Sequence, residues 1–141
     1  MFSKETSRQL RTEFWISFGK SFPKKWVLYK TGMKPLSLKF HFNVKQAMVS
    51  LDVEGHLEQR IQIWEKLCSL KSLLLQQLPQ AVYDDCHLLE NGKEISRIYV
   101  TKAGVSIHNK DSWRETMEFL NTHMTLLEHF FLEYQDLLKS E

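Results

Sequence analysis

The sequence predicts an α+β fold, an antiparallel sheet of about five strands covered by helices, on three observations. Residues 36–53 alternate apolar and polar through two successive runs, the period of strands with one buried face. Asn91-Gly92 separates two further strand-like runs, and this pair is favoured in two-residue hairpin loops. Apolar stripes with a period of about 3.6 residues mark helices at both ends of the chain and at its centre.

The first helical stripe runs from about Glu5 to Phe22. Leu10, Phe14 and Phe18 recur every fourth residue, Trp15 widens the face, and Pro23 stops it. "KWVLYKTG" predicts a brief strand closed by Thr31-Gly32. In "LSLKFHFNV", Leu36, Leu38, Phe40, Phe42 and Val44 share one face, while Ser37, Lys39, His41 and Asn43 share the other. "AMVSLDVE" repeats the alternation with Ala47, Val49, Leu51 and Val53. Folding the two runs about Lys45-Gln46 places Val44 opposite Ala47, Phe42 opposite Val49, Phe40 opposite Leu51 and Leu38 opposite Val53. A four-residue loop from Val44 to Ala47 keeps the same register. A slip by one residue would turn polar side chains into the core.

Gly55 ends this hairpin, and a long helix is expected to about Leu78, before Pro79. Leu57, Ile61, Trp64, Cys68, Leu75 and Leu78 form one stripe, with Ile63, Leu67, Leu70 and Leu74 beside it. "HLLENGKEISRIYV" reads as the second hairpin, and Val105–Ile107 as one more short strand. The last helix opens with a capping box, Ser112-Trp113-Arg114-Glu115. It carries Trp113, Met117, Leu120, Met124, Leu127, Phe131, Tyr134 and Leu138, with a second stripe of Phe119, Leu126, Phe130 and Leu137. The expected order is α-β-β-β-α-β-β-(β)-α. The doubled stripes point either to helix-on-helix packing within the chain or to a homodimer through the last helix, with a lean to the dimer.

The 141 residues suffice for one domain, 1–141, with a single sizeable core. With 19 basic and 17 acidic residues the charge is nearly balanced, so clustering rather than the sum decides whether a nucleic acid is a partner. Cys68 and Cys86 make neither a disulfide framework nor a metal knuckle, and read as single buried thiols in a reduced compartment. The start of the chain lacks the pattern of a signal peptide, and no run approaches the roughly 20 apolar residues that span a bilayer. A cytoplasmic protein with no membrane partner is expected.

Asp52 and Glu54, one residue apart on a strand, point to the same face, and in the expected register Asp52 lies opposite Lys39 and His41 opposite Ser50. One reading of Lys39, His41, Asp52 and Glu54 is a metal-dependent nuclease whose carboxylates hold Mg2+ while a lysine aligns the attacking water. The element order suits it. However, no lysine follows two positions after either acid, and the preceding strand offers no carboxylate. The favoured reading is a solvated strand face with a cross-strand Lys39–Asp52 pair and neither metal nor cofactor.

Across the second turn, Cys86 is expected to face Arg97, and Asp84 to face Tyr99. Arg97, on a partly apolar face, is then either an anchor for phosphate or carboxylate or the partner of Asp84 in an internal ion pair. His123 and His129 lack the i,i+4 spacing of a helical zinc site, and no nucleophile elbow, P-loop or dinucleotide fingerprint is present. Lys20, Lys24, Lys25, Lys30, Lys34 and Lys39 cluster with Trp26, Tyr29, Phe40 and Phe42 among them. Such a mixture can bind a phosphate backbone, or simply guard a strand edge.

Glu13-Phe14-Trp15, the lysine-rich segment after it, "EGHLEQRIQIWEKLCSLK", "SRIYV" and "DSWRETMEFLNTHMTLLEHFF" together resemble a bacterial domain-of-unknown-function family, the one numbered 4268. The resemblance covers nearly the whole chain. It implies a domain found beside nuclease-like segments of restriction or defence systems, and also alone, with no activity assigned to the domain itself. It singles out Arg97 as the functional position, with Trp113 as its structural neighbour, and a nuclease subunit as a partner. The expectation is therefore a non-enzymatic interaction module, homodimeric, binding nucleic acid through Arg97, Lys24, Lys25, Lys30 and Lys39. The alternative is a restriction-endonuclease-like nuclease with a degenerate acid site.

Overall fold

In the computed structural model, which describes residues 2–140, local signals start and stop most elements. Helix α1 (Lys4–Ser21) is capped by Ser3, whose hydroxyl accepts the Thr6 amide, and it ends before Pro23. Strands β1 (Leu36–Phe42) and β2 (Gln46–Val53) form the first hairpin. Helices α2 (Leu57–Ser69) and α3 (Lys71–Gln77) follow, then strands β3 (Val82–Leu88) and β4 (Glu94–Ala103). A 3-10 turn at Lys110–Ser112 leads into α4 (Trp113–Lys139). The four strands form one antiparallel sheet in the order β1-β2-β4-β3.

The α+β class holds, with four strands rather than about five. "KWVLYKTG" forms a turn-rich loop, in which the Lys30 amide donates to Val27 O and Leu28 adopts a left-handed φ of 46°. That φ is incompatible with a strand, so the segment keeps a single backbone bond to β1, from Leu38 N to Leu28 O. Val105–Ile107 likewise makes one such bond, from Ile107 N to Asn43 O, and turns away.

Both hairpin registers depend on side chains in the turns. Asn43 Oδ1 accepts the amides of Lys45 and Gln46, which centres the first turn on Val44-Lys45. The register is thereby displaced by two residues: Phe42 faces Ala47, Leu38 faces Leu51, and Asp52 faces Ser37 rather than Lys39. A shift of two preserves the faces, so the apolar pattern could not detect it. The second hairpin closes through three residues, Glu90 to Gly92, with Leu89 N bonded to Lys93 O and Gly92 at φ 86°. A bulge between Asp84 and His87 then places Asp84 opposite Arg97, and Cys86 no longer faces that arginine.

The expected long central helix is two helices, because Leu70 leaves α geometry at ψ 4° and its amide bonds to Leu67 O. The capping box does not form. Ser112 Oγ lies 2.7 Å from Asn109 O and accepts the Ser106 amide, and Glu115 pairs with Lys102.

All four helices join one core on a single sheet face. Phe14 is its aromatic centre, with ring centroids 4.6 Å from Phe42 and 5.4 Å from Trp113. Packing within the chain absorbs most of both stripes of α4: Leu120, Met124, Leu127, Phe130 and Phe131 are buried, while Leu132 and Leu137 stay exposed. The second central stripe, Ile63, Leu67, Leu70 and Leu74, is also buried, whereas Leu57, Ile61 and Cys68 of the first are exposed, as is Cys86, so neither thiol is the buried one expected. No described helix is long and apolar enough to cross a membrane. Truncating Phe14 to Ala should cost about 3–5 kcal/mol of unfolding free energy in a denaturant titration. Ile16→Ala, on the exposed face of the same helix, should cost well under half of that.

Candidate functional site

The sheet face opposite the helices carries the polar residues of the alternation. One row crosses all four strands: Ser37, Asp52, Arg97 and Asp84 are successive register partners on β1, β2, β4 and β3. Asp52 and Arg97 are both buried and form a bidentate pair, Nε to Oδ1 at 2.8 Å and NH2 to Oδ2 at 2.9 Å. The remaining guanidinium nitrogen lies 3.2 Å from His87 Nε2. A guanidinium only donates, so Nε2 accepts and the ring proton sits on Nδ1, turned toward Asp84 Oδ2 at 3.5 Å.

Lys39 reaches diagonally across the hairpin, its Nζ 3.2 Å from Asp52 and 3.3 Å from Glu54. Lys93, on the second hairpin, holds the other Glu54 oxygen at 2.9 Å. Burial raises the Asp52 pKa, but the hydrogen bonds and charge of Arg97, with Lys39, outweigh it and hold the carboxyl below its ordinary value. For Lys39, burial pulls the pKa down and Asp52 and Glu54 carry it above normal. Glu54 is held low by the Lys93 hydrogen bond, against burial and with help from Lys39. His41 Nε2 lies 2.9 Å from Ser50 Oγ, and burial followed by the Arg97 charge lowers its pKa to about 4.

Thus Lys39, His41, Asp52 and Glu54 do share one face, as their alternation predicts. An ammonium, however, bridges the two carboxylates where a cofactor ion would lie, and a guanidinium occupies both oxygens of Asp52. A hard ion such as Mg2+ needs free carboxylate oxygens, so this donor set does not fit it. Among the described residues no three His, Cys, Asp or Glu side chains converge on a position that could hold a metal. Arg97 is paired with Asp52 rather than Asp84, and is satisfied internally instead of being offered as an anchor. Ser37 Oγ, buried beside Asp52, has no hydrogen-bond partner among the described residues.

The lysine cluster takes a different form. The loop between α1 and β1 is pinned at one end by buried Glu128 of α4, which accepts the Val27 amide at 2.8 Å and pairs with Lys24 at 3.3 Å. Lys24 also lies 4.3 Å above the Trp26 ring. At the other end Thr31 Oγ1 bonds to Leu36 O at 2.8 Å. Lys25, Lys30 and Lys34 are exposed and enter no ion pair among the described residues. Between them Tyr29 is 72% exposed. The sequence signal that isolates this loop is an acid-free run: from Phe14 to Leu51 there are seven lysines and no Asp or Glu.

Fold and site define a one-sided α+β domain, a four-stranded antiparallel sheet with helices on one face and a neutralised ion network on the other. The chain belongs to the family described as Domain of unknown function (DUF4268), whose model matches residues 10–135. No curated protein and no solved structure matches it significantly.

Two measurements test the network. Arg97→Met, which leaves the Asp52 carboxylate without its guanidinium, should cost about 3–5 kcal/mol, and adding Asp52→Leu to it should recover part of that loss. For His41, the folded chain binds a proton only below about pH 4 and the unfolded chain below 6.5, so stability rises with pH across that window and is lost on acidification. The difference is on the order of 3 kcal/mol. Urea unfolding midpoints between pH 7 and pH 4, roughly those limits, should fall steeply for the native chain and more gently for His41→Gln.

Proposed function

We propose that this domain is a non-enzymatic nucleic-acid-binding module that reads the phosphate backbone through the loop between α1 and β1. The observation that carries the reading is Lys25, Lys30 and Lys34 standing without acidic partners among the described residues around an exposed tyrosine, within the acid-free run of the chain. Counterion release from a phosphate backbone drives binding to such clusters, and an exposed aromatic ring offers a stacking surface. Arg97 serves this module as a strut of the sheet, because its donors are directed at Asp52 and His87.

A cleavage role draws little support, since Asp52 and Glu54 are already neutralised by Arg97, Lys39 and Lys93. Association with a nuclease subunit would place this module as the part that holds the substrate strand while another chain cuts. Homodimerisation through α4 would rest on Leu132 and Leu137, the two large apolar side chains that the helix leaves exposed.

The test is fluorescence anisotropy of labelled single- and double-stranded DNA, titrated at low and at physiological salt. Binding should weaken steeply with salt. Replacing Lys25, Lys30 and Lys34 together by Gln should flatten the slope of log K against log salt by about 2, close to 0.7 per lost phosphate contact on a single strand. Absence of binding to either DNA at both salts would overturn the reading and direct the search to a protein partner.

A further inference from the structure

The nucleic-acid reading leaves open which form of nucleic acid the loop takes, and the geometry beside Tyr29 bears on that. Tyr29 stands at the rim of a hollow of about 270 Å3, lined also by Trp15, Leu28, Leu38, Lys39 and Phe40. Its lining is almost wholly apolar and aromatic, and Phe40 is backed by Trp26 with ring centroids 5.3 Å apart. Lys39 brings no free charge to it, since its ammonium is committed to Asp52 and Glu54 on the far side of β1. An apolar hollow with an exposed ring at its mouth, on a loop where Lys25, Lys30 and Lys34 have no ion-pair partner among the described residues, combines the two elements that hold a single strand: a face for a base and charge for the phosphates.

The backbone beneath the hollow is held in an unusual conformation. Leu28, a non-glycine residue, sits at φ 46° in the left-handed region, where its Cβ crowds the following carbonyl. Fixed contacts on both sides maintain it: Glu128 binds the amide of Val27, and the Leu28 carbonyl accepts Leu38 N at 3.0 Å. This conformation sets Leu28 into the lining while the next side chain, Tyr29, remains 72% exposed. Strain maintained by a buried carboxylate from another element is the pattern of a shaped site rather than of a slack surface loop.

Resting on the nucleic-acid reading above, we propose that the hollow seats one unstacked base of a single-stranded nucleic acid against Tyr29, with the neighbouring phosphates on Lys25, Lys30 and Lys34. Its volume exceeds that of a single base, and the ring face accepts any base, so the site selects single strands over duplex without reading sequence. A duplex presents its bases stacked and paired, and could meet only the lysines.

The experiment compares three labelled probes of equal length at one low salt concentration: an oligothymidylate, an abasic strand, and a duplex. Stacking of one base predicts that the oligothymidylate binds about 5- to 100-fold more tightly than the abasic strand, and more tightly than the duplex. Tyr29→Ala should remove that advantage while leaving abasic-strand affinity unchanged, and Tyr29→Phe should restore it; the exposure of Tyr29 makes both substitutions compatible with folding. Equal affinity for the oligothymidylate and the abasic strand, or indifference to Tyr29→Ala, would overturn the seated base and leave the phosphate reading standing. A preference for duplex would do the same. Absence of binding of all three probes would overturn both.

Discussion

The bidentate contact between Asp52 and Arg97 constrains much of the rest of this structure. It lies on the two central strands, β2 and β4, where a buried carboxylate without a cation would be strongly unfavourable. Satisfying it requires that these strands pair with Asp52 directly opposite Arg97. The same register that brings the charges together aligns Val49 with Val100 and Leu51 with Ile98 on the opposite face. Polar pairing on one side and apolar pairing on the other thus specify one alignment twice. Lys39 then bridges Asp52 to Glu54, and Lys93 holds Glu54, which ties β1 and the second hairpin to the centre.

This one-sided construction separates the roles of the chain. The helices and the core face supply stability through an aromatic cluster around Phe14. The far face, although rich in titratable groups, is occupied by its own ion pairs. Charge concentrated in a small region is often read as a site, but here the groups satisfy one another, and the outcome is structural. The residues left with chemistry to offer lie at the edge of the sheet, where the loop between α1 and β1 gathers cations and carries no acids. Glu128, reaching from α4, turns that loop from a flexible connection into a shaped surface.

Much of the fold was legible in the sequence because burial has a period. The alternation from Leu36 to Val53 marked two strands and assigned their side chains to the correct faces, except Val44, which was expected in the core opposite Ala47 and stands exposed in the turn. The stripes of α1 and α4 marked helices, and Asn91-Gly92 marked a hairpin. The site was partly legible for the same reason: Lys39, His41, Asp52 and Glu54 had to share a face. The lysine and aromatic cluster was visible as composition, and the acid-free run was a sharper sign of it. What period cannot convey is register in steps of two, and so it does not distinguish Ser37 from Lys39 as the neighbour of Asp52 on β1.

The sequence by itself determined the fold class, the faces of the strands and the stripes of the helices, because these follow from local periodicity and the hydrophobic effect. Only the tertiary structure decided the partner of each charge and the shape of each loop. Asn43, Gly92 and the bulge after Asp84 each moved a register, and Leu28 took a backbone conformation that its own side chain disfavours. The loop and the charge partners depend on hydrogen bonds between residues far apart in the chain, such as Val27 with Glu128 and Asp52 with Arg97, whereas the hairpin registers depend on turn contacts such as those of Asn43, to which the apolar period is blind.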